Sequence, residues 1–168
     1  MKKTMTFVLT TMFVTFLMST AYAFNWRDHY NGDPNYPMVW GHTGVATYID
    51  KQSVNVQRYD PPYYIIAVGV FVAPDGGYGQ MSHYHVDRFF YNYDTTKMYL
   101  DKHPNTGDWE YLYPLYGHGA MNHESMSIGE AAFYTAYNMK FYGAYTWKDA
   151  NGDQYFDCQG DGFYERIR

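Results

Sequence analysis

Oxygen and nitrogen donors recur at ligand-like spacing in two places in this sequence. In Asp149-Ala-Asn151-Gly-Asp153-Gln-Tyr-Phe-Asp157, side-chain oxygens stand at every second position and return at the ninth. A hard cation such as Ca²⁺ takes six or more oxygens, and a tight loop delivers them in this pattern. Gln154, however, stands where the bend wants glycine, and Gly160 where a bidentate glutamate closes the sphere. The two departures favour a solvent-facing Asn-Gly-Asp turn, with Ca²⁺ as the cofactor alternative. The second place is His83-Tyr-His85. An extended chain projects both imidazoles from one face about 7 Å apart. One Zn²⁺ or Cu²⁺ needs a third donor from elsewhere, and Asp87, His118, His123 and Glu124 are available. A chance pair on an exposed strand is the simpler reading.

Covalent chemistry has less to build on. The serines sit in no G-x-S-x-G elbow. The single cysteine, Cys158, follows Asp157, whose charge disfavours a thiolate, and one thiol leaves no intramolecular disulfide to form. Asp108 and Glu110 are the kind of carboxylate pair that exposed strands carry without catalysis. No enzyme is expected. Binding is better served by Trp109, Tyr111 and Tyr113, which alternate along one strand and which Tyr91 and Tyr93 extend. Such rings combine apolar area with polar tips and suit a protein or glycan partner. The same stripe serves equally as the inner face of a sheet beneath a helix, and both readings stand.

These residues must be placed by an unusual core. Tyr63 to Val72, between Pro61-Pro62 and Pro74, carries no charge and no polar side-chain atom beyond two tyrosine hydroxyls. It reads as a central strand buried on both faces. Gly69 within it invites close approach by a neighbouring backbone or a large aromatic side chain. Val45–Asp50 and Val54–Arg58 alternate apolar and polar residues and predict an antiparallel pair across a Lys51-Gln52-Ser53 turn. Ser82–Tyr93, Met98–Asp101 and Trp109–Tyr113 predict further strands, and the tail after Tyr145 one or two short ones. Ser127-Ile-Gly-Glu130 fits a capping box opening a helix to Tyr142, closed by Gly143. The expected fold is α+β, a curved antiparallel sheet of about five to seven strands with one helix packed on it in the C-terminal half.

Lys2 and Lys3, an apolar run and Ala21-Tyr22-Ala23 predict a signal peptide over residues 1–23, an extended lead-in over 24–39 and one domain over 40–168. Removing 23 of 168 residues leaves 145, enough for a single core. Two of the 12 basic residues and none of the 17 acidic ones fall in the leader, so the remaining chain carries 10 against 17, a formal charge of −7. That balance argues against nucleic acid as a partner. No run after the leader is long enough to span a membrane.

The segments Trp40–Val54, Asp60-Pro-Pro-Tyr-Tyr-Ile-Ile66, Arg88–Asp94 and Ala136–Gly143 resemble small uncharacterised secreted bacterial proteins. More distantly, the order Trp, Tyr-x-Asp-x-x-Ser-Val, apolar strand, Tyr-Asp is similar to surface-adhesin protein E-like domains, although the paired cysteines found there are absent. The resemblance implies an envelope location, periplasmic, cell-surface or released, and an adhesin-like role. It carries no catalytic residues over. A small secreted Ca²⁺- or transition-metal-binding protein is the alternative.

Overall fold

A computed structural model describes residues 25–112, 120–142, 147–148, 154–155 and 159–168. Six strands form one curled antiparallel sheet in sequence order: β1 (Met38–His42), β2 (Val45–Asp60), β3 (Tyr63–Ala73), β4 (Ser82–Asn92), β5 (Lys97–Asp101) and β6 (Trp109–Tyr111). A small separate pair follows, β7 (Trp147–Lys148) with β8 (Gln154–Tyr155). Two α-helices, α1 (Ala120–Tyr137) and α2 (Asp161–Ile167), and two single-turn 3₁₀ helices at Tyr30–Gly32 and Asp75–Gly77 complete the described elements. The expected α+β architecture is the one observed.

β3 is the central strand. It pairs with β2 along one side and β4 along the other. Ile66, Val68, Val70 and Phe71 are fully or almost fully buried, each contributing about 1.5–3 kcal/mol by leaving water. Tyr64, Ile66, Val68 and Val70 face α1, in a core completed by Ile49, Phe89, Tyr91, Met98 and Phe133. The opposite, outer face carries a second core of Met38, Ala46, Tyr48, Phe71 and Ala73. Trp26, Tyr30 and Tyr36 cover it. The segment ahead of β1 is thus folded back over the sheet, and β1 takes Met38 and Val39 from the lead-in expected over 24–39. Tyr48 donates to the Arg27 carbonyl at 2.9 Å, and Tyr30 packs edge-on against Phe71 with centroids 5.2 Å apart.

Close approach is arranged by two glycines. At Gly69 the outer face is met by the Tyr84 ring and by Ser53, whose hydroxyl accepts the Gly69 N–H at 2.6 Å. The expectation of an aromatic neighbour at this position holds. Gly129, in the middle of α1, lies directly on Met98 and Phe89, and a Cβ there would stand 2.9 Å from Phe89 Cδ1. An exposed helical glycine gains roughly 1 kcal/mol on replacement by alanine. Here the added methyl enters a filled core, where overpacking costs about 1–3 kcal/mol. Gly129→Ala is therefore expected to lower the urea midpoint, the reverse of the effect at an exposed helical position.

Several local expectations are corrected. Lys51-Gln52-Ser53 does not reverse the chain. Asp50 opposes Gly69 while Asn55 opposes Ala67, so the residues between form a wide bulge within a single 16-residue β2. The reversal comes at Pro61-Pro62, joined by a cis peptide bond. β1 was not anticipated. Ser127 and Glu130 lie in the middle of α1, which starts seven residues before Ser127 and ends at Tyr137. Its left-handed terminal residue is Asn138 (φ 53°), with Asn138 N–H bonded to the Tyr134 carbonyl at 2.7 Å, and the helix does not run on to Gly143. A second helix, α2, occupies the end of a tail read as strands alone.

Glu130 does not cap a helix: it holds the chain beyond one. Its carboxyl, 1% exposed, accepts the backbone N–H groups of Phe141 and Tyr142, both at 2.8 Å, and the Tyr164 hydroxyl at 2.9 Å. One side chain thus ties together α1, the segment after it and α2.

Candidate functional site

The strand register lays out a chemical map on the outer face, opposite α1. One row runs Arg58, Ile65, Phe90, Tyr99, Tyr111 across β2 to β6, each residue directly opposite the next. A row beside it runs Asp60, Tyr63, Asn92, Lys97. On the other side stand Arg88, Asp101 and Trp109. Apolar and aromatic residues thus occupy the middle of the face, with charged and amide groups along both margins.

The rings form a continuous series. Centroids are 6.1 Å apart for Tyr63–Phe90, 5.6 Å for Phe90–Tyr99 and 5.3 Å for Tyr99–Tyr111, with Trp109 5.7 Å from Phe90. Cations sit over these rings: Arg58 over Tyr63 at 5.5 Å, Arg88 over Trp109 at 5.0 Å and Lys97 over Tyr111 at 5.6 Å. All five rings retain exposure, where Tyr48 and Phe71 on the covered half of the same face have none. No described element lies across them.

Arg88 fixes the margin of this platform. Its Nε donates to Gln57 at 2.6 Å and an Nη to Asp101 at 2.8 Å. The Asp101 carboxylate also accepts from Gly107 N–H and the Thr106 hydroxyl. Burial opposes ionisation of Asp101, but the bonds from Arg88, Gly107 and Thr106 outweigh it and hold the carboxyl below its ordinary pKa. A depressed folded-state pKa gives stability that is present above the unfolded value and lost as pH falls through the folded one. Asp101→Asn is expected to remove that acid-side dependence and to cost about 1–3 kcal/mol by leaving Arg88 unneutralised. Denaturant curves at pH 7 and pH 3 check both effects.

Of the aromatic stripe anticipated from sequence, Trp109 and Tyr111 are on this face, and Tyr113 lies outside the described residues. The stripe is not the surface beneath α1. Nor do Tyr91 and Tyr93 extend it: Tyr91 is fully buried on the inner face, bonded to the Gly129 carbonyl at 2.8 Å, and Tyr93 packs against Phe133. Phe90, Tyr99 and Tyr63 were missed. Their alternation was visible in β4 and β5, but only the register shows that they share a face with Trp109.

The histidine pair is broken by a bulge. Val70 opposes His85 and Val72 opposes Ser82, which leaves one extra residue on β4, with His83 at φ 52°. His83 and His85 therefore do not present two imidazoles side by side, and the His85 Nδ1 bonds instead to the His83 carbonyl at 2.8 Å. His85 Nε2 is 3.4 Å from Asp87. The bond to Asp87 is the main influence on His85; burial opposes it, and the His83 carbonyl and the charges of Asp87 and Glu124 add to it, bringing the imidazole to about 9. A raised folded-state pKa means the contribution is complete below the ordinary value near ~6.5 and is lost as pH rises through about 9. A histidine proton-resonance titration is expected to show a midpoint near 9 that returns toward ~6.5 in Asp87→Asn.

Close by, a shallow groove of about 240 Å³ is lined by Trp40, His42, Thr47 and Glu124. Thr47 donates to Glu124 at 2.6 Å, and His123 lies against the Trp40 ring with centroids 5.5 Å apart. Among the described residues no three histidine, cysteine, aspartate or glutamate side chains converge as a metal site. Asp149, Asn151, Asp153 and Asp157, the calcium-like loop, lie outside the described residues, as does Cys158. Glu110 faces Lys102 at 3.6 Å and Asp108 faces His103 at 3.9 Å, all of them exposed, so the two carboxylates are turned to separate side chains. No described helix is long and apolar enough to cross a membrane. No protein-family model, curated protein or solved structure matches the chain.

Proposed function

We propose that this is an exported cell-envelope or surface protein with no catalytic activity of its own, which binds a macromolecule, glycan or protein, through the outer face of its sheet in an adhesin-like manner. One observation carries the reading: half of that face is covered by Trp26, Tyr30 and Tyr36, while on the other half Tyr63, Phe90, Tyr99 and Trp109 keep part of their ring area exposed. Tyrosine, tryptophan and arginine are the residues that dominate binding energy at interfaces, and here they are held by register and not by flexible loops. The leader-like start of the chain supports export.

A pull-down from envelope extracts tests this. The protein lacking residues 1–23 is expected to capture a partner with or without a chelator, and the Tyr99→Ala/Trp109→Ala variant to capture none. Capture abolished by the chelator but kept by the variant would overturn the reading in favour of a metal-binding protein.

A further inference from the structure

The inner face has one end that the core leaves open. Trp40, Thr47 and Val72 stand opposite one another across β1, β2 and β3, and Val45 lies beside them at the start of β2. Of these four only Thr47 is buried, at 2% exposure. With Glu124 of α1 they line the groove of about 240 Å³, smaller than the roughly 300–1,000 Å³ of pockets for drug-sized ligands. Val45 and Val72 give this groove an apolar floor, and one carboxylate stands in its wall. The groove is pre-formed: the Thr43-Gly44 turn joining β1 to β2 has φ of 47° and 83°, and the Gly44 carbonyl accepts the Gly76 N–H at 2.8 Å.

The carboxylate is oriented and keeps its charge. The Thr47 hydroxyl donates to one oxygen of Glu124 at 2.6 Å. Among the described residues the second oxygen accepts no bond, and no lysine or arginine pairs with Glu124. His85, one row further along the sheet, is already engaged. Its Nδ1 meets the His83 carbonyl at 2.8 Å and its Nε2 meets Asp87 at 3.4 Å, so Asp87 balances any charge on that ring.

These features select among cations. A metal ion needs further ligands, and no three such side chains converge among the described residues. A guanidinium fork takes both oxygens of a carboxylate, and Thr47 holds one of them. A quaternary ammonium wants open aromatic faces, whereas His123 lies against the Trp40 ring with centroids 5.5 Å apart. A primary ammonium needs a single acceptor oxygen for a charge-assisted bond, and its alkyl stem suits an apolar floor. We propose that this groove binds a primary ammonium on a short apolar stem, the head bonded to Glu124 and the stem lying on Val45 and Val72. The site is independent of the outer face, since Thr47 and Val72 point to the opposite side of the sheet from Tyr48 and Phe71. A free alkylamine and a lysine side chain both offer this chemistry.

A backbone-amide NMR titration of the protein with n-butylammonium tests it, alongside n-butanol, ammonium chloride and Nα-acetyl-lysine methylamide. n-Butylammonium is expected to give saturable shifts centred on Thr47, Val72 and Glu124, at concentrations that rise with added salt. Glu124→Gln keeps the Thr47 bond and the side-chain size, and is expected to weaken binding about tenfold or more, the loss of one charge-assisted bond. Glu165→Gln removes the same charge from an exposed position on α2 and is expected to change nothing. Equal weakening by both variants, or by neither, overturns the site. Equal binding of n-butanol overturns the ammonium, and equal binding of ammonium chloride overturns the stem. Shifts absent from Thr47, Val72 and Glu124 with every probe overturn the proposal outright. Binding of the lysine derivative as tight as that of n-butylammonium supports a protein side chain as the source, and binding of n-butylammonium alone supports a free amine.

Discussion

Glu130→Ala is expected to cost about 3–5 kcal/mol, the range for stranding buried polar partners, and to lower the melting temperature by roughly 10 °C or more. The size follows from what the carboxyl holds. Two backbone N–H groups, of Phe141 and Tyr142, and the Tyr164 hydroxyl converge on it inside the core. Alanine leaves all three without an acceptor and opens a cavity between α1 and α2. Glu130→Gln keeps one acceptor oxygen but turns an NH₂ toward a donor, so an intermediate loss is expected. Glu124→Ala is the comparison: that carboxylate is part-exposed and accepts one bond, from Thr47, so about 1 kcal/mol is expected. Thermal unfolding of the three variants side by side checks the order. Equal losses for Glu130→Ala and Glu124→Ala would show that the buried carboxyl does not organise the C-terminal part of the chain.

Removing Tyr99 and Trp109 together is expected to reduce partner binding by roughly 100-fold or more, since central aromatic anchors are each worth about 2 kcal/mol or more at an interface. The accompanying stability loss is expected to be modest, about 1–2 kcal/mol, because both rings are only half-buried and stand away from the two cores. This separation between binding and folding is what distinguishes the outer row from the inner one. Phe89 and Tyr91 alternate with Phe90 along the same strand, yet both are fully buried under α1. Their replacement by alanine is expected to unfold the domain before any binding can be measured. Binding isotherms read together with melting curves for the two sets check the contrast.

Sequence carried the centre of this molecule well and its faces poorly. Tyr63 to Val72 carries no charge, so a central strand was legible, and Gly69 announced the close neighbour found there; burial on both faces holds only from Ile66 to Phe71, and Tyr63 and Ile65 stand on the exposed outer face. Alternation in β4 and β5 showed that two faces exist. It could not say which is covered, because Phe89 and Phe90 are chemically alike and only the position of α1 separates them. Bulges defeated two local readings. The extra residues after Asp50 look like a hairpin turn, and the one at His83 breaks a regular alternation that would have paired two imidazoles. Ser127-Ile-Gly-Glu130 satisfies the pattern of a capping box, yet Gln159 donates to the Ser127 hydroxyl at 2.6 Å and Glu130 serves residues 11 and 12 positions further on. Tertiary partners there replaced the local ones that the pattern implies. The covering of half the outer face by Trp26, Tyr30 and Tyr36 was hidden because a segment rich in turn residues has no period to betray its aromatic contacts.

The central claim is that the half of the outer face carrying Phe90, Tyr99 and Trp109 meets the partner. Photo-crosslinking tests it at single-residue resolution, with a benzophenone side chain placed at position 99 on the outer face or at position 59 on the inner side. Incubation with envelope extract and irradiation is expected to give a discrete adduct from position 99 and none from position 59. An adduct from position 59 alone would contradict the account.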